Sequence, residues 1–442
     1  TQRAGWPESA HLRGQIRAEL EAAGLTTARS AGRHYADRDV VHEDRSSPWS
    51  GRVHLGLPAV RSTHQAMDQI LPMMLLDALL RQADARAAVV AATGGEPTGL
   101  VELAAGRIEP VDARTVRWHA RLAGLVPADD GIDVVDIPQG ELEALVAGLW
   151  PLVDIREGDQ CAALPGMDLM LTGGGPGTGR WVLSECHDDS SSAIGGVTSR
   201  VQPGRGREFD RFGAEVSQWL DTDRMATVLG RRRSRHVTPE LPGLTVELSG
   251  ISTKPAGEVA PAAEVLVTSD GAAIEHAGRR YQLYPGDVAS PLFRALSLPC
   301  LVPVPFATGR RYTPRVVVGD VVVQRRRWVV DLRDEPDRPP AGPARIGSVL
   351  DTLTRHRVPA RFFLRHPDEP KPLLVDVRDP LCRAELGRLR PDRLICTEVL
   401  PDLDDTWWRG VGPQVCELRI PVFLRWDDRW PDSARPHSRI AP

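Results

Sequence analysis

The 442-residue chain holds no apolar run near the ~20 residues that cross a bilayer as a helix. It shows no signal peptide and begins at Thr1, directly ahead of a helix, so a cytoplasmic piece of a longer or processed protein is expected. Six cysteines stand at 161, 186, 300, 382, 396 and 416 with no C-x-x-C pair, which excludes the spacing of a zinc ribbon or a thioredoxin-type dithiol. Reduced thiols are the expectation. No G-x-S-x-G elbow is present. The glycine-rich turn at 173–179 lacks the G-K-[ST] ending and the following helix that a phosphate loop needs. Lysine is scarce beside arginine, as in GC-rich coding, so arginine abundance alone carries little functional information. A net charge of -4 argues against a uniformly basic nucleic-acid binder and permits a local basic patch.

What remains is an ordinary folded composition, 41% hydrophobic and 26% charged, long enough for two or three domains. Residues 9–23 read as an amphipathic helix through Leu12, Ile16 and Leu20, with Ser9 before it and Gly24 after it. Residues 65–83 are apolar around most of the helix and read as buried, kinked at Pro72. A third helix is expected at 139–149, and a fourth at 207–220 that 222–229 extend. DLMLT and RWVLSECH around the glycine-rich turn form a hairpin. Short strands follow at 244–248, 263–268, 280–284, 315–318, 321–324 and 328–331, with Gly319-Asp320 as a tight turn. Helix, strand, strand, helix and two more strands close the chain.

The expected class is α+β, mixed β-sheets with packed helices in several layers. The expected segments are a mainly helical 1–155, a β-rich 156–333, a linker at 334–344, an α/β closing segment at 345–425 and a flexible tail at 426–442.

Glu185, Cys186 and His187 are adjacent on a strand, so Cys186 and His187 point to opposite faces and cannot form a nucleophile–base pair. Glu185 and His187 share a face, where a carboxylate can orient the imidazole. The competing reading is a hydrogen-bonded pair that closes a sheet. His34, His42, His236, His276 and His356 lack metal-ligand spacing. His366 and Asp368 read as surface beside Pro367, and Ser190–Ser192 as a loop. Arginine gathers in three places: Arg231, Arg232, Arg233 and Arg235; Arg310 and Arg311 beside Tyr312; and Arg325–Arg327, where Arg325 and Arg327 share a face if the segment is a strand. Guanidinium suits phosphate because it is planar, permanently charged and bidentate, although each cluster equally fits a solvated surface. Trp407 and Trp408 fit either packing or a stacking platform.

Several blocks, in order over about residues 160–425, resemble the glutamylation module of lantibiotic dehydratases. PGMDLMLTGGGPGTGRWVLSECH carries Asp168, Glu185 and His187; AAEVLVTSDGAAIEHAGRRYQLYP ends on Pro285; RRYTPRVVVGDVVVQRRRWVV carries Pro314, Arg315 and Trp328. The closing stretch adds Pro359, Pro372, Asp376, Glu398, Pro401, Trp407, Glu417 and Arg419. The family's N-terminal block and its C-terminal elimination domain have no counterpart, so the resemblance is to the second half of the module.

It implies an enzyme that moves glutamate from glutamyl-tRNA to Ser or Thr of a ribosomally made precursor peptide, the first step of dehydration. It further implies a separate glutamate-elimination protein and a partner supplying the N-terminal half. The implied catalytic set is Glu185, His187 and Arg315. The implied tRNA set is Arg231, Arg232, Arg233, Arg235, Arg310, Arg311, Arg325 and Arg327. Glutamyl-tRNA serves as co-substrate, with no metal and no other cofactor. Two alternatives stay open: a non-catalytic subunit that binds tRNA or leader peptide, and an ATP-using peptide aminoacyl-tRNA ligase.

Overall fold

The computed structural model describes residues 6–24, 56–128, 131–173, 178–188, 190, 206–230, 240–285, 289–306, 309–332, 343–365, 372–388, 393–406, 415–427 and 437–440. Two compact units emerge. One comprises 1–54, 309–314 and 325–399; the other comprises 55–308, 315–324 and 400–442. These units cut across the segments expected from sequence, because strands distant in the chain pair within one unit. The class is α+β, with three mixed or antiparallel sheets.

The larger unit is organised by one helix, Leu57–Thr93. Pro58 sits in its first turn, where a missing N–H costs nothing. Gly94 ends it at φ 65°, a left-handed conformation in which its N–H donates to the Val90 carbonyl. Pro72 removes one internal hydrogen bond, yet the helix continues, because Ile70, Leu71, Met73, Met74, Leu75 and Leu76 are buried on every side. Each such side chain contributes ~1.5–3 kcal/mol on leaving water.

The buried charges of this helix are all paired, as desolvation requires. Asp84 accepts from the backbone N–H groups of Arg114 and Thr115 and so caps the helix Ala113–Gly124 from outside. Arg86 meets both oxygens of Asp159 at 2.8 and 3.0 Å. Asp77 meets Arg81 and His119.

Against this helix lies an eight-stranded sheet in the order Val134–Ile137, Arg315–Val318, Val321–Gln324, Trp181–His187, Gly166–Leu171, Glu417–Arg425 and His437–Ile440, with Ala162–Ala163 also pairing with Glu417–Arg425. The helix and the inner sheet face share one core. A seven-stranded sheet builds a second core around Val89, Val246, Val265 and Ile274.

The smaller unit holds a five-stranded antiparallel sheet in the order Tyr312–Thr313, Arg327–Asp331, Arg393–Glu398, Arg361–Arg365 and Leu373–Asp376. The helices Pro343–Arg355 and Pro380–Arg388 give Val349, Leu353 and Leu386 to one face, against Trp328, Val330, Phe362, Leu364, Leu394 and Cys396.

Two expectations are corrected. Residues 222–229 do not extend a helix. A short 3-10 turn leads into the strand Met225–Leu229, held by parallel pairing with Leu244–Glu247. The chain end is no loose tail throughout, because His437–Ile440 pairs with Glu417–Arg425. The helix Ala113–Gly124 went unread from sequence, although Thr115, Trp118 and Leu122 bury one stripe at helical spacing. The expected linker lies outside the described residues as far as 342. No described helix is long and apolar enough to cross a membrane. All six cysteines are free of disulfides.

Candidate functional site

A β-bulge builds the site. On the strand Trp181–His187, Trp181 and Leu183 point into the core. Strict alternation then drives Glu185 and His187 into that core as well. The register shifts instead: Leu183 pairs with Leu169, but Glu185 pairs with Asp168, and Ser184 is the extra residue. One inserted residue reverses the parity of everything after it. Cys186 therefore joins the core, and Glu185 and His187 leave it. Burial, aided by Asp188 and Asp168, pushes the Cys186 thiol well up, so it is no thiolate nucleophile.

Two neighbouring strands complete the cluster. Asp168, on Gly166–Leu171, is only 1% exposed. Its Oδ2 accepts from His187 Nε2 at 3.1 Å and lies 3.4 Å from Arg419 Nε, and Arg419 is in register with it on Glu417–Arg425. Glu185 Oε2 lies 3.5 Å from the same Nε2 and is largely exposed, a weak contact. Ser184 Oγ donates to Glu417 Oε2 at 3.0 Å, and Glu417 Oε1 lies 3.4 Å from Arg419. Six side chains thus form one row of hydrogen bonds and ion pairs across three strands, in which Asp168, Glu185 and Glu417 outnumber the single guanidinium of Arg419. Asp168 Oδ1 has no hydrogen-bond partner among the described residues.

The hydrogen bond from Asp168 raises His187 above the ordinary imidazole value. Partial burial opposes the shift, the charges of Asp168 and Glu185 add to it, and Arg419 subtracts. With Nε2–H given to Asp168, the neutral ring carries its lone pair on Nδ1, the arrangement of an oriented general base. Asp168, Glu185 and His187 also offer three ligand atoms within 4.8 Å of one another. The guanidinium of Arg419 stands beside the Asp168 carboxylate of this set.

Of the implied catalytic set, Glu185 and His187 come together. Arg315 lies on Arg315–Val318, separated from Trp181–His187 by the strand Val321–Gln324. Asp168 and Arg419 lay in the matching blocks but were not selected as site residues. The only local signal was a lone acid in the apolar run PGMDLML. Arg231, Arg232, Arg233 and Arg235 lie outside the described residues, as do Trp407 and Trp408, His34, His42, His236, His366 and Asp368. Arg310, Arg311, Arg325 and Arg327 all belong to the smaller unit. Arg325 precedes the strand Arg327–Asp331, so strand alternation does not orient it. Arg326 donates from its backbone N–H and Nε to Glu398, with its guanidinium 5.5 Å from the Trp328 ring centre, a structural clamp.

No family model matches the chain, and no curated protein does. Solved structures do. The glutamylation domain of TbtB, from thiomuracin biosynthesis, aligns at a TM-score of 0.52 and 17% identity over 81% of this chain and 50% of that one. The same domain bound to 5'-phosphodesmethylglutamycin aligns at 0.51 and 17% identity, over 82% and 50%. The tRNA dependent lantibiotic dehydratase MibB from Microbispora sp. 107891 aligns at 0.50 and 21% identity, over 70% and 32%. The chain shares the fold of these dehydratase and glutamylation proteins, as the ordered sequence blocks implied. It spans half the length of the TbtB chain and about a third of MibB.

Proposed function

We propose that this chain is part of a lantibiotic dehydratase-like enzyme that transfers glutamate from glutamyl-tRNA to Ser or Thr of a ribosomally made precursor peptide. The observation that carries the reading is the fold shared with a glutamylation domain over 81% of the chain. The Asp168–His187 pair supports it, because acyl transfer to a hydroxyl needs a base and the pair forms one.

In the proposed step the peptide hydroxyl oxygen attacks the glutamyl ester carbonyl carbon. The new C–O bond forms as the bond to the ribose oxygen breaks. His187 Nδ1 takes the hydroxyl proton and passes it to the leaving ribose oxygen. Asp168 holds the ring and offsets its transient charge. Arg419, 3.4 Å from Asp168, stabilises its carboxylate. The tRNA ester is already activated, so the step needs no ATP, metal or redox group.

A second reading has residues outside these 442 complete the transfer site, since the chain spans half of the TbtB chain. Intact mass of a precursor peptide, incubated with this chain and glutamyl-tRNA, decides between them. Adducts one glutamyl group heavier with this chain alone support a complete transfer site. Adducts that need a polypeptide supplying the rest of the module support a shared one. Absence of adducts in both arms overturns the proposal, and an ATP-dependent extension of the peptide C-terminus replaces it with ligation.

A further inference from the structure

The five-stranded sheet of the smaller unit gives one face to its helices, and the other face carries a different chemistry. On that outer face alternation places Arg327, Arg365 and Arg393 on three adjacent strands. Arg365 is in register with Ile395, Arg393 lies two residues from Ile395 in one direction, and Arg327 is in register with Thr397, two residues in the other. Three guanidiniums therefore surround Ile395. Among the described residues none of the three has an acidic partner. Asp331 is in register with Arg393 without an ion pair between them, and Asp376 is engaged by Arg361 and Arg378. Burial, with the charges of Arg393 and Arg365, holds Arg327 below the ordinary guanidinium value. Beside the cations lie a half-buried Phe363 and, in register with it, Leu374 at 53% exposed.

We infer that this sheet face binds a single-stranded segment of RNA, its phosphates on Arg327, Arg365 and Arg393 and a base on Phe363. Three like charges on a face that holds one acid, Asp331, and no ion pair to any of the three leave an excess of positive charge that suits an anion from outside the chain. A ring and an exposed leucine amid those charges suit a ligand that alternates phosphates with flat apolar faces. An acidic peptide offers the charge and not the stacking surface. The site lies on a different sheet from the Asp168–His187 pair. It rests on the proposed function only in naming tRNA as the RNA.

The test is equilibrium binding of the full chain to unacylated tRNA, a labelled single-stranded RNA dodecamer and a duplex of the same length, over a range of salt. Arg365 and Arg393 are exposed, so the double variant Arg365→Glu/Arg393→Glu is expected to fold. It is expected to bind the dodecamer and tRNA at least ~10-fold more weakly, with a salt slope smaller by ~1.4 for two lost phosphate contacts. Phe363→Leu is expected to weaken binding several-fold at unchanged slope. Affinity within twofold of wild type for the double variant overturns the site. Equal affinity for the duplex, or equal competition by polyglutamate, overturns the single-stranded RNA assignment. Wild-type RNA binding in a chain that makes no glutamyl adducts leaves this site standing and removes only the proposed reaction.

Discussion

The large and small sheets both carry charged side chains on the face away from their packed helices, and they treat that charge in opposite ways. On the large sheet the acids Asp168, Glu185 and Glu417 are interleaved with His187 and Arg419 across three strands. On the small sheet Arg327, Arg365 and Arg393 repel one another, and among the described residues none of them forms an ion pair. A row of mixed sign can hold a proton in place and tune a base. A face of one dominant sign can take its counter-charge from a ligand. On the functions proposed above the difference separates chemistry from capture, and it can be broken from either side.

The largest effect is expected from Cys186→Glu. Parity past the bulge sends this side chain into the core, and an unpaired charge buried there costs more than a marginally stable domain can offset. Loss of folded protein, read from yield and circular dichroism, is the expected outcome; a variant that melts like wild type contradicts the parity argument.

Next comes Asp168→Asn, which keeps the shape and removes the charge. Glutamyl transfer is expected to fall at least ~100-fold. The melting temperature should fall too, since a buried charged hydrogen bond contributes ~1.5–3 kcal/mol.

A smaller effect follows from His187. Its folded-state value is raised, so its contribution to stability is full below the ordinary imidazole value and is lost as pH rises through the raised one. The melting-temperature gap between wild type and His187→Gln should therefore narrow as pH rises above the ordinary imidazole value of ~6.5. The rate, which needs the neutral ring, should rise over a more alkaline limb than ordinary imidazole gives. A gap that widens with pH sinks the assignment.

The smallest effect is Cys186→Ala. Transfer rates within twofold of wild type are expected, because the thiol faces the core. A large loss of rate restores a nucleophile role.

These contrasts also mark what the sequence could tell. Parity along one strand was legible: Glu185 with His187, Cys186 opposite. So were the elements 139–149, 315–318 and 321–324, whose apolar patterns are local. The bulge was not, because it exists only in the register between Gly166–Leu171 and Trp181–His187. Nor was Arg419's place beside Asp168, set by a strand far along the chain. Arginine runs at 231–235, 310–311 and 325–327 stood out by local density. Arg365 and Arg393 stand apart in sequence and meet Arg327 only through cross-strand pairing.

The most direct test is single-turnover glutamyl transfer measured against tRNA concentration, for wild type, Asp168→Asn and Arg365→Glu/Arg393→Glu, in the mixture that supports adduct formation. The account predicts a lower plateau at unchanged half-saturation for Asp168→Asn. It predicts an unchanged plateau and at least ~10-fold higher half-saturation for the arginine pair, the same change as its predicted loss of phosphate contacts. A fallen plateau for the arginine pair, or an unaltered one for Asp168→Asn, contradicts it.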